Sequence, residues 1–193
     1  MKRITVFCGS SLGHKEVFKN AAGLLGKALV QRKIDLVYGG AKVGLMGTIA
    51  DAVLQEGGKV IGVLPRFLQA KELAHEGLTE LVLTDSMHER KTKMNELSDG
   101  ALALPGGFGT LEELFEMLTW GQLGLHKKPV GVLNVSGFYD SLDLFTQTMV
   151  DSGFLKEMNR DMLLIDKNIE QILDKMENYQ APDVVKWLDP KIV

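Results

Sequence analysis

The sequence is poor in the features that mark secreted and membrane proteins. It has one cysteine, Cys8, so no intrachain disulfide can form, which fits a reducing compartment. Its longest apolar runs fall far short of the roughly 20 residues that a membrane-spanning helix needs. The basic start, Met1 to Arg3, precedes an apolar run of only Ile4 to Cys8, which is too short for a signal peptide. We therefore expect a cytoplasmic protein without a membrane partner.

Charge and histidine content argue against two further classes of protein. The chain has 22 Lys and Arg against 25 Asp and Glu, a net charge of -3, and it has no long basic run. Nucleic acid is therefore not expected as a partner. The histidines are scattered and show no metal-ligand spacing, so no metal site is expected. They are His14, His75, His88 and His126.

What the sequence does contain is a regular alternation of strand and helix patterns. Short apolar runs alternate about seven times with helical periodicity, from a first strand at Ile4–Cys8 to a last helix at Ile169–Met176. This order predicts an α/β fold with a parallel sheet of about seven strands and helices on both faces. No linker or repeat interrupts it, so we interpret residues 1–193 as one domain, with 180–193 as a loose tail.

Glycine is abundant, with 21 residues, and it clusters where three predicted strands end. The clusters are Gly9–Gly13, Gly39–Gly44 and Gly106–Gly109. Because the carboxyl ends of parallel strands meet at one edge of a sheet, these turns should converge on one site. None has the dinucleotide spacing G-x-G-x-x-G or the Walker spacing, which disfavours a dinucleotide oxidoreductase and a P-loop NTPase. A mononucleotide or a sugar phosphate fits better.

The third glycine turn, within Leu104–Glu113, is the most informative stretch. It follows a short apolar strand and precedes a helical face, so its first helical amides lack internal partners and carry the positive end of the helix dipole. That geometry suits a phosphate, although a tight turn with nothing bound has the same pattern. Thr110 and Glu113 also fit a capping box, with Thr110 as the N-cap.

Two charged residues are candidates for chemistry. Arg90 lies on an otherwise apolar helical stripe with Met87, Met94 and Leu97. It therefore meets an anion, or it snorkels to solvent at the edge of the stripe or pairs with a structural carboxylate. Glu113 lies near a helix start, where a carboxylate stays ionised. There it either stabilises positive charge on a sugar ring or simply caps the helix.

The remaining candidates have plainer alternatives. Ser10 and Ser11 either donate hydroxyls to a phosphate or cap the first helix. Cys8 ends a buried strand and is interpreted as inert core. Met46, like the methionines of the stripe, is interpreted as core, with a wall for a flat base as the alternative. Lys91 is expected to be solvated.

Several motifs together resemble the Lonely Guy family, the cytokinin riboside 5'-monophosphate phosphoribohydrolases that were long labelled lysine decarboxylases. The P-G-G-x-G-T-x-x-E pattern is specific, and the likeness continues to about Phe154. Ala41 departs from the pattern, because many members have a third glycine there. The motifs are Tyr38–Gly40 with Gly44–Gly47, Met87–Lys91, Pro105–Glu113, Thr119–Trp120 and Lys128–Gly131.

The resemblance implies a Rossmann-like homodimer without a cofactor. It implies hydrolysis of the N-glycosidic bond of AMP or of N6-modified riboside 5'-monophosphates, giving free base and ribose 5-phosphate. Arg90 and Glu113 would be the catalytic pair. The positions expected to bind substrate are Ser10, Gly40, Met46, Glu72, Lys91, Met94, Gly106, Gly107, Phe108, Gly109, Thr110 and Thr119.

Two other functions compete with this interpretation. A carrier protein of the same fold would hold a nucleotide or cofactor without hydrolysing it, but it would not need both Arg90 and Glu113. A lysine decarboxylase would need pyridoxal phosphate on a lysine, with a carboxylate facing the ring nitrogen, and no such constellation can be identified. The sequence leaves open whether the base is plain or prenylated adenine.

Overall fold

A parallel sheet of seven strands lies at the centre of the structure. The computed structural model describes residues 1–69 and 74–183. The strands are β1 (Arg3–Phe7), β2 (Asp35–Tyr38), β3 (Val60–Pro65), β4 (Glu80–Thr84), β5 (Ala101–Ala103), β6 (Val130–Leu133) and β7 (Leu163–Asp166). Their order is β4-β3-β2-β1-β5-β6-β7, and every pair is parallel. The predicted fold class is confirmed.

Helices cover both faces of this sheet. They are α1 (Glu16–Gln31), α2 (Gly44–Gln55), α3 (Arg66–Gln69), α4 (Met87–Leu97), α5 (Phe108–Gln122), α6 (Asp140–Asp151), α7 (Glu157–Arg160) and α8 (Ile169–Glu177). Side chains alternate along the strands, so Val6 joins the core under α1, α2 and α8, whereas Phe7 joins the core under α4 and α5. Two apolar cores therefore enclose the sheet.

The direction of chain progression reverses between β1 and β5. The chain first builds outward from β1 to β4 and then crosses back to place β5 on the other side of β1. Ligands in such folds bind at the carboxyl ends of the strands at this reversal. There the Gly9 amide donates to the Pro105 carbonyl at 3.1 Å, and the Leu45 amide donates to the Gly9 carbonyl at 3.1 Å. The three glycine turns therefore meet, as expected.

Several predicted boundaries need correction. Helix α5 begins at Phe108 with Gly107 as its N-cap, so the predicted N-cap at Thr110 is wrong. The sequence pattern of Phe138–Asp151 predicts one helix, but α6 starts at Asp140, after a 3-10 turn over Val135–Gly137. The short α7 matches no element predicted from the sequence. Most of the predicted tail, residues 184–193, lies outside the described residues. Within the described ranges, no helix is both long and apolar enough to cross a membrane.

Candidate active site

Arg90 and Glu113 face each other from neighbouring helices. Arg90 Nη1 donates a hydrogen bond to Glu113 Oε1 at 2.6 Å, and each side chain is 11% exposed. Arg90 Nε also donates to the Val63 carbonyl of β3 at 3.1 Å, so the guanidinium is fixed at two points. Within residues 1–69 and 74–183, Arg90 Nη2 and Glu113 Oε2 make no hydrogen bond, so both can serve a ligand.

This ion pair lies at the wall of a cavity of about 310 Å³. That volume falls at the lower end of the roughly 300–1,000 Å³ range of small-molecule sites. The lining residues come from the turn after β1, from the start of α2 after the second glycine turn, from α3 and α4, and from the third glycine turn with the start of α5. They are Cys8, Gly9, Ser10, Met46, Leu68, Met87, Arg90, Gly107, Phe108, Gly109, Thr110 and Glu113. Eight of the fourteen predicted site residues are brought together here; the other four residues of the lining, Cys8, Gly9, Leu68 and Met87, were not among those fourteen.

The floor beneath the guanidinium is Gly39 rather than the predicted Gly40. A Cβ atom added at Gly39 would lie 2.5 Å from Arg90 Nη2 and 3.1 Å from Met46 Sδ. Gly40 has a φ of +82° and packs against Leu64, outside the cavity. The close approach of Arg90 to the backbone therefore needs a residue without a side chain at position 39.

The glycine loop before α5 is held in place by contacts on both sides. Tyr139 donates its buried hydroxyl to the Leu104 carbonyl at 2.7 Å, just where β5 ends. A Cβ atom at Gly106 would collide with Thr110 Oγ1 and would lie 2.9 Å from the Gly9 amide nitrogen. Gly106 therefore packs tightly against Thr110 and Gly9 and lines an adjoining cavity of about 320 Å³, while Gly107 lines the cavity beside the ion pair.

The start of α5 offers the donors that an anion requires. Gly107, Phe108, Gly109 and Thr110 all line the cavity. The first N–H groups of a helix have no intrahelical acceptor, and the helix dipole adds partial positive charge. Phe108 is 93% exposed, so its ring is not packed in the protein core. The loop is thus built to receive an anionic group beside the ion pair.

Glu113 does not cap its helix. It is the sixth residue of α5, beyond the first turn, and its carboxylate pairs with Arg90 instead. Burial raises the pKa of the Glu113 carboxyl, while the Arg90 guanidinium opposes this shift by favouring the carboxylate. The expectation that the helix start keeps this carboxylate ionised is therefore wrong, because Glu113 lies beyond the first turn and the group that favours its charged form is Arg90.

Three predicted substrate-binding residues lie elsewhere. Lys91 is buried, not solvated, and its Nζ donates to Glu112 Oε1 at 2.5 Å and to Glu116 Oε1 at 2.9 Å. Met94 is fully buried in the core under α4 and α5, and neither residue lines the cavity. Thr119 is exposed and donates its hydroxyl to the Phe115 carbonyl at 2.7 Å.

The other sequence candidates have simple placements. Ser10 lines the cavity, whereas the Ser11 hydroxyl accepts a hydrogen bond from the Gly13 amide at 3.2 Å; neither caps α1, whose N-cap is Lys15. Burial raises the pKa of the Cys8 thiol well above its usual range, which fits inert core. Glu72 lies outside the described residues. Among the residues that are described, no His, Cys, Asp and Glu cluster could hold a metal ion.

A parallel α/β sheet with a glycine loop and a buried arginine–glutamate pair at its reversal point defines a protein that handles small phosphate-bearing ligands. A family profile described as "Possible lysine decarboxylase" matches residues 46–176. The cytokinin riboside 5'-monophosphate phosphoribohydrolase LOG7 of Arabidopsis thaliana is 48% identical over 93% of this chain and 82% of its own. LOG1 of the same plant is 49% identical over 92% of this chain and 84% of its own. The chain belongs to the Lonely Guy family.

Solved structures show the same fold at lower identity. A molybdenum cofactor binding protein from Rippkaea orientalis matches with a TM-score of 0.69 and 21% identity, over 92% of this chain and 96% of that one. The molybdenum cofactor carrier protein of Chlamydomonas reinhardtii matches with a TM-score of 0.66 and 22% identity, over 90% of this chain and 98% of that one. At such identity the likeness extends to the fold alone.

Proposed function

We propose that this protein hydrolyses the N-glycosidic bond of AMP or of N6-modified adenosine 5'-monophosphates, giving free base and ribose 5-phosphate. The observation that carries the proposal is the Arg90–Glu113 pair at the wall of a cavity that the glycine loop also lines. Relatives at 48–49% identity are named cytokinin riboside 5'-monophosphate phosphoribohydrolases. A site that only bound phosphate would gain nothing from a buried carboxylate beside it.

The carboxylate has a direct role in this chemistry. When the bond from C1' of the ribose to the base nitrogen breaks, its electron pair leaves with the base and the ribose ring acquires oxocarbenium character. Glu113 Oε2 is available to stabilise that positive charge and to orient the attacking water, as carboxylates do in glycoside hydrolysis. Water adds to C1', one of its protons is lost, and the departing base gains one.

Arg90 and the helix start bind the other end of the nucleotide. The first amides of α5 donate hydrogen bonds to the 5'-phosphate. Arg90 Nη2 adds a charged donor, while Nη1 keeps Glu113 in register. Binding the phosphate away from the broken bond supplies energy that positions C1' against the carboxylate. AMP should therefore react and adenosine should not.

We also propose that the protein acts as a homodimer in the cytoplasm. The family resemblance and three large apolar side chains that the single chain leaves exposed support dimerisation: Leu144, Phe145 and Phe154. The lone cysteine supports a reducing compartment. Light scattering tests the first point, since a monomer has a mass of 21.2 kDa. Cell fractionation tests the second.

The deciding experiment incubates the protein with AMP, prenyl-AMP and adenosine and then measures free base by chromatography and ribose 5-phosphate by a coupled assay. We expect base from the monophosphates, none from adenosine, and little from the Glu113→Gln variant. Glu96→Gln serves as a control, because Glu96 is exposed on α4 and, within residues 1–69 and 74–183, forms an ion pair with Lys93 alone, at 3.3 Å. Tight binding of AMP without any release of base would support the carrier function and overturn this one.

A further inference from the structure

Two sets of ion pairs, not one, join α4 to α5. Arg90 and Glu113 form the first, at the cavity. The next residue of α4, Lys91, forms the second with Glu112 and Glu116 of α5. Neither Lys91 nor its two partners line the cavity. The second set therefore lies behind the first, between the same two helices.

Lys91 is committed to these two carboxylates. Its side chain is only 8% exposed, and its ammonium contacts Glu112 at 2.5 Å and Glu116 at 2.9 Å. Burial lowers the pKa of Lys91, but the hydrogen bonds to Glu112 and Glu116 outweigh that effect and leave the pKa raised. A phosphate approaching this ammonium would also meet two negative charges, which disfavours direct substrate binding.

The two sets of pairs fix different aspects of the helix packing. Successive residues of a helix point about 100° apart. A contact at position 90 alone would allow α4 to roll against α5, whereas contacts at 90 and 91 fix both the separation and the rotation of the two helices. The roll of α4 decides where the Arg90 guanidinium meets Glu113.

We propose that Lys91 is a positioning residue, which acts through Glu112 and Glu116 to hold Arg90 and Glu113 in catalytic register. This inference rests on the proposed hydrolysis for its kinetic readout. It assigns Lys91 a role behind the site rather than a contact with substrate.

Charge compensation follows from the same placement. The charged groups that shift the pKa of Glu113 are Arg90 and Lys91 from α4 and Glu112 from α5. Glu116 of α5 pairs with Lys91, and the neutral Cys8 thiol follows β1. Glu112 raises the pKa of Glu113 and Lys91 lowers it. Removing the Lys91 charge should therefore move the acid limb of the pH–rate profile to higher pH.

The test compares Lys91→Met with Lys93→Met. Lys93 lies two positions along α4, is 41% exposed and, in the part of the chain that the structure describes, forms an ion pair with Glu96 alone, so its loss should leave kcat and KM unchanged. For Lys91→Met we expect kcat on AMP to fall about 10-fold or more, since small misplacements of reacting groups cost that much, with KM nearly unchanged. The acid limb should shift upward in Lys91→Met only. A raised KM with unchanged kcat would show a substrate ligand and overturn the proposal.

The Glu112→Gln/Glu116→Gln double variant separates the two roles again. Positioning predicts a loss of kcat, whereas a phosphate ligand freed of two carboxylates should bind AMP more tightly. Lys91→Arg keeps the charge and both partners, so it should retain most of the wild-type activity. This variant tests the proposal even if Lys91→Met folds poorly. Unimpaired kcat in the double variant would contradict positioning.

A readout without turnover keeps this proposal separate from the proposed function. If the wild-type protein releases no base from AMP, the hydrolase assignment fails. Melting temperatures of Lys91→Met, Glu113→Ala and the combined Lys91→Met/Glu113→Ala variant still test the coupling. Losses that do not add support a shared register between the two sets of pairs, and strictly additive losses overturn it.

Discussion

Arg90 Nη1 donates to Glu113 Oε1 at 2.6 Å across the interface between α4 and α5. The contact joins residues from two different βα units, and the Val63 carbonyl on β3 holds the same guanidinium from a third. A buried pair of this kind is weak support for stability, because desolvation offsets much of the attraction. Its position on a cavity wall beside a helix start is better explained by chemistry.

Gly39→Ala should lower activity without removing any functional group. The added Cβ would lie 2.5 Å from Arg90 Nη2, so the guanidinium must move away from the backbone at position 39 and out of its position against Glu113. We expect turnover of AMP to fall about 10-fold or more. Steady-state kinetics measure the loss. Gly23→Ala on α1 is the control, because its Cβ meets nothing within 4 Å; it should add about 0.4–1 kcal/mol of stability and leave activity intact.

Arg90→Lys keeps the positive charge but should not keep the activity. The guanidinium contacts Val63 and Glu113 together and still presents Nη2, a geometry that a single ammonium cannot reproduce. We expect a loss on the order of 10-fold or more in kcat/KM for AMP. Arg3→Lys, at the opposite end of β1 from the site, is the matched control. Equal kinetics for Arg90→Lys and wild type would show that only charge matters here.

The pH dependence of turnover should report Glu113. The reaction needs its carboxylate, and burial raises the pKa of that carboxyl. Activity should therefore be present above the folded-state pKa and disappear as the pH falls through it, at a higher pH than an ordinary glutamate with a pKa of about 4.3 would give. The measurement is kcat at saturating AMP against pH. A flat profile down to the usual glutamate range would contradict the assignment.

Stability should fall in mild acid because of His126. Burial lowers the pKa of this imidazole; its Nε2 lies 2.9 Å from the Met117 carbonyl, and its Nδ1 accepts from the Lys128 amide. The unfolded chain therefore takes up a proton near pH 6.5 that the folded protein resists. This contribution is complete above pH 6.5 and is lost as the pH falls below it, by at most about 1.4 kcal/mol per pH unit.

Urea unfolding at pH 7.5 and 5.5 measures this effect. His126→Gln should show a smaller difference between the two conditions than wild type. His14→Gln, an exposed position, should match wild type. An unchanged difference in His126→Gln would assign the acid sensitivity to other groups.

The parallel sheet and the alternation of strands and helices along the chain could be predicted, because each strand is a short apolar run and each helix has its own periodicity. The start of α5 could not, because Thr110 and Glu113 satisfy a capping pattern that the backbone does not use; the extended residue at the helix start is Gly107. At α4 the pattern was used in part. Ser86 and Glu89 have the capping-box spacing at the start of α4. Ser86 Oγ accepts from the Glu89 amide as that pattern predicts, but Glu89 Oε2 accepts from the Asp85 amide rather than from the Ser86 amide.

Some residues of the candidate site could be predicted from the sequence and others could not. Arg90 and Glu113 carry a local signal, an arginine on an apolar stripe and a carboxylate behind a glycine turn. Lys91 carries none, since its partners Glu112 and Glu116 lie on another helix and only tertiary packing brings them within reach. The choice between Gly39 and Gly40 likewise depends on where Arg90 lies in the folded chain.

Turnover of AMP by Glu113→Gln, measured beside thermal melting, tests the central claim most directly. Glutamine keeps the size of the side chain and can still accept from Arg90, but it cannot offer negative charge to an oxocarbenium ion. We predict a loss on the order of 10²-fold or more in kcat with little change in melting temperature, and wild-type behaviour for the Glu96→Gln control. If Glu113→Gln melts early yet hydrolyses AMP at near the wild-type rate, the ion pair is structural and the catalytic assignment is wrong.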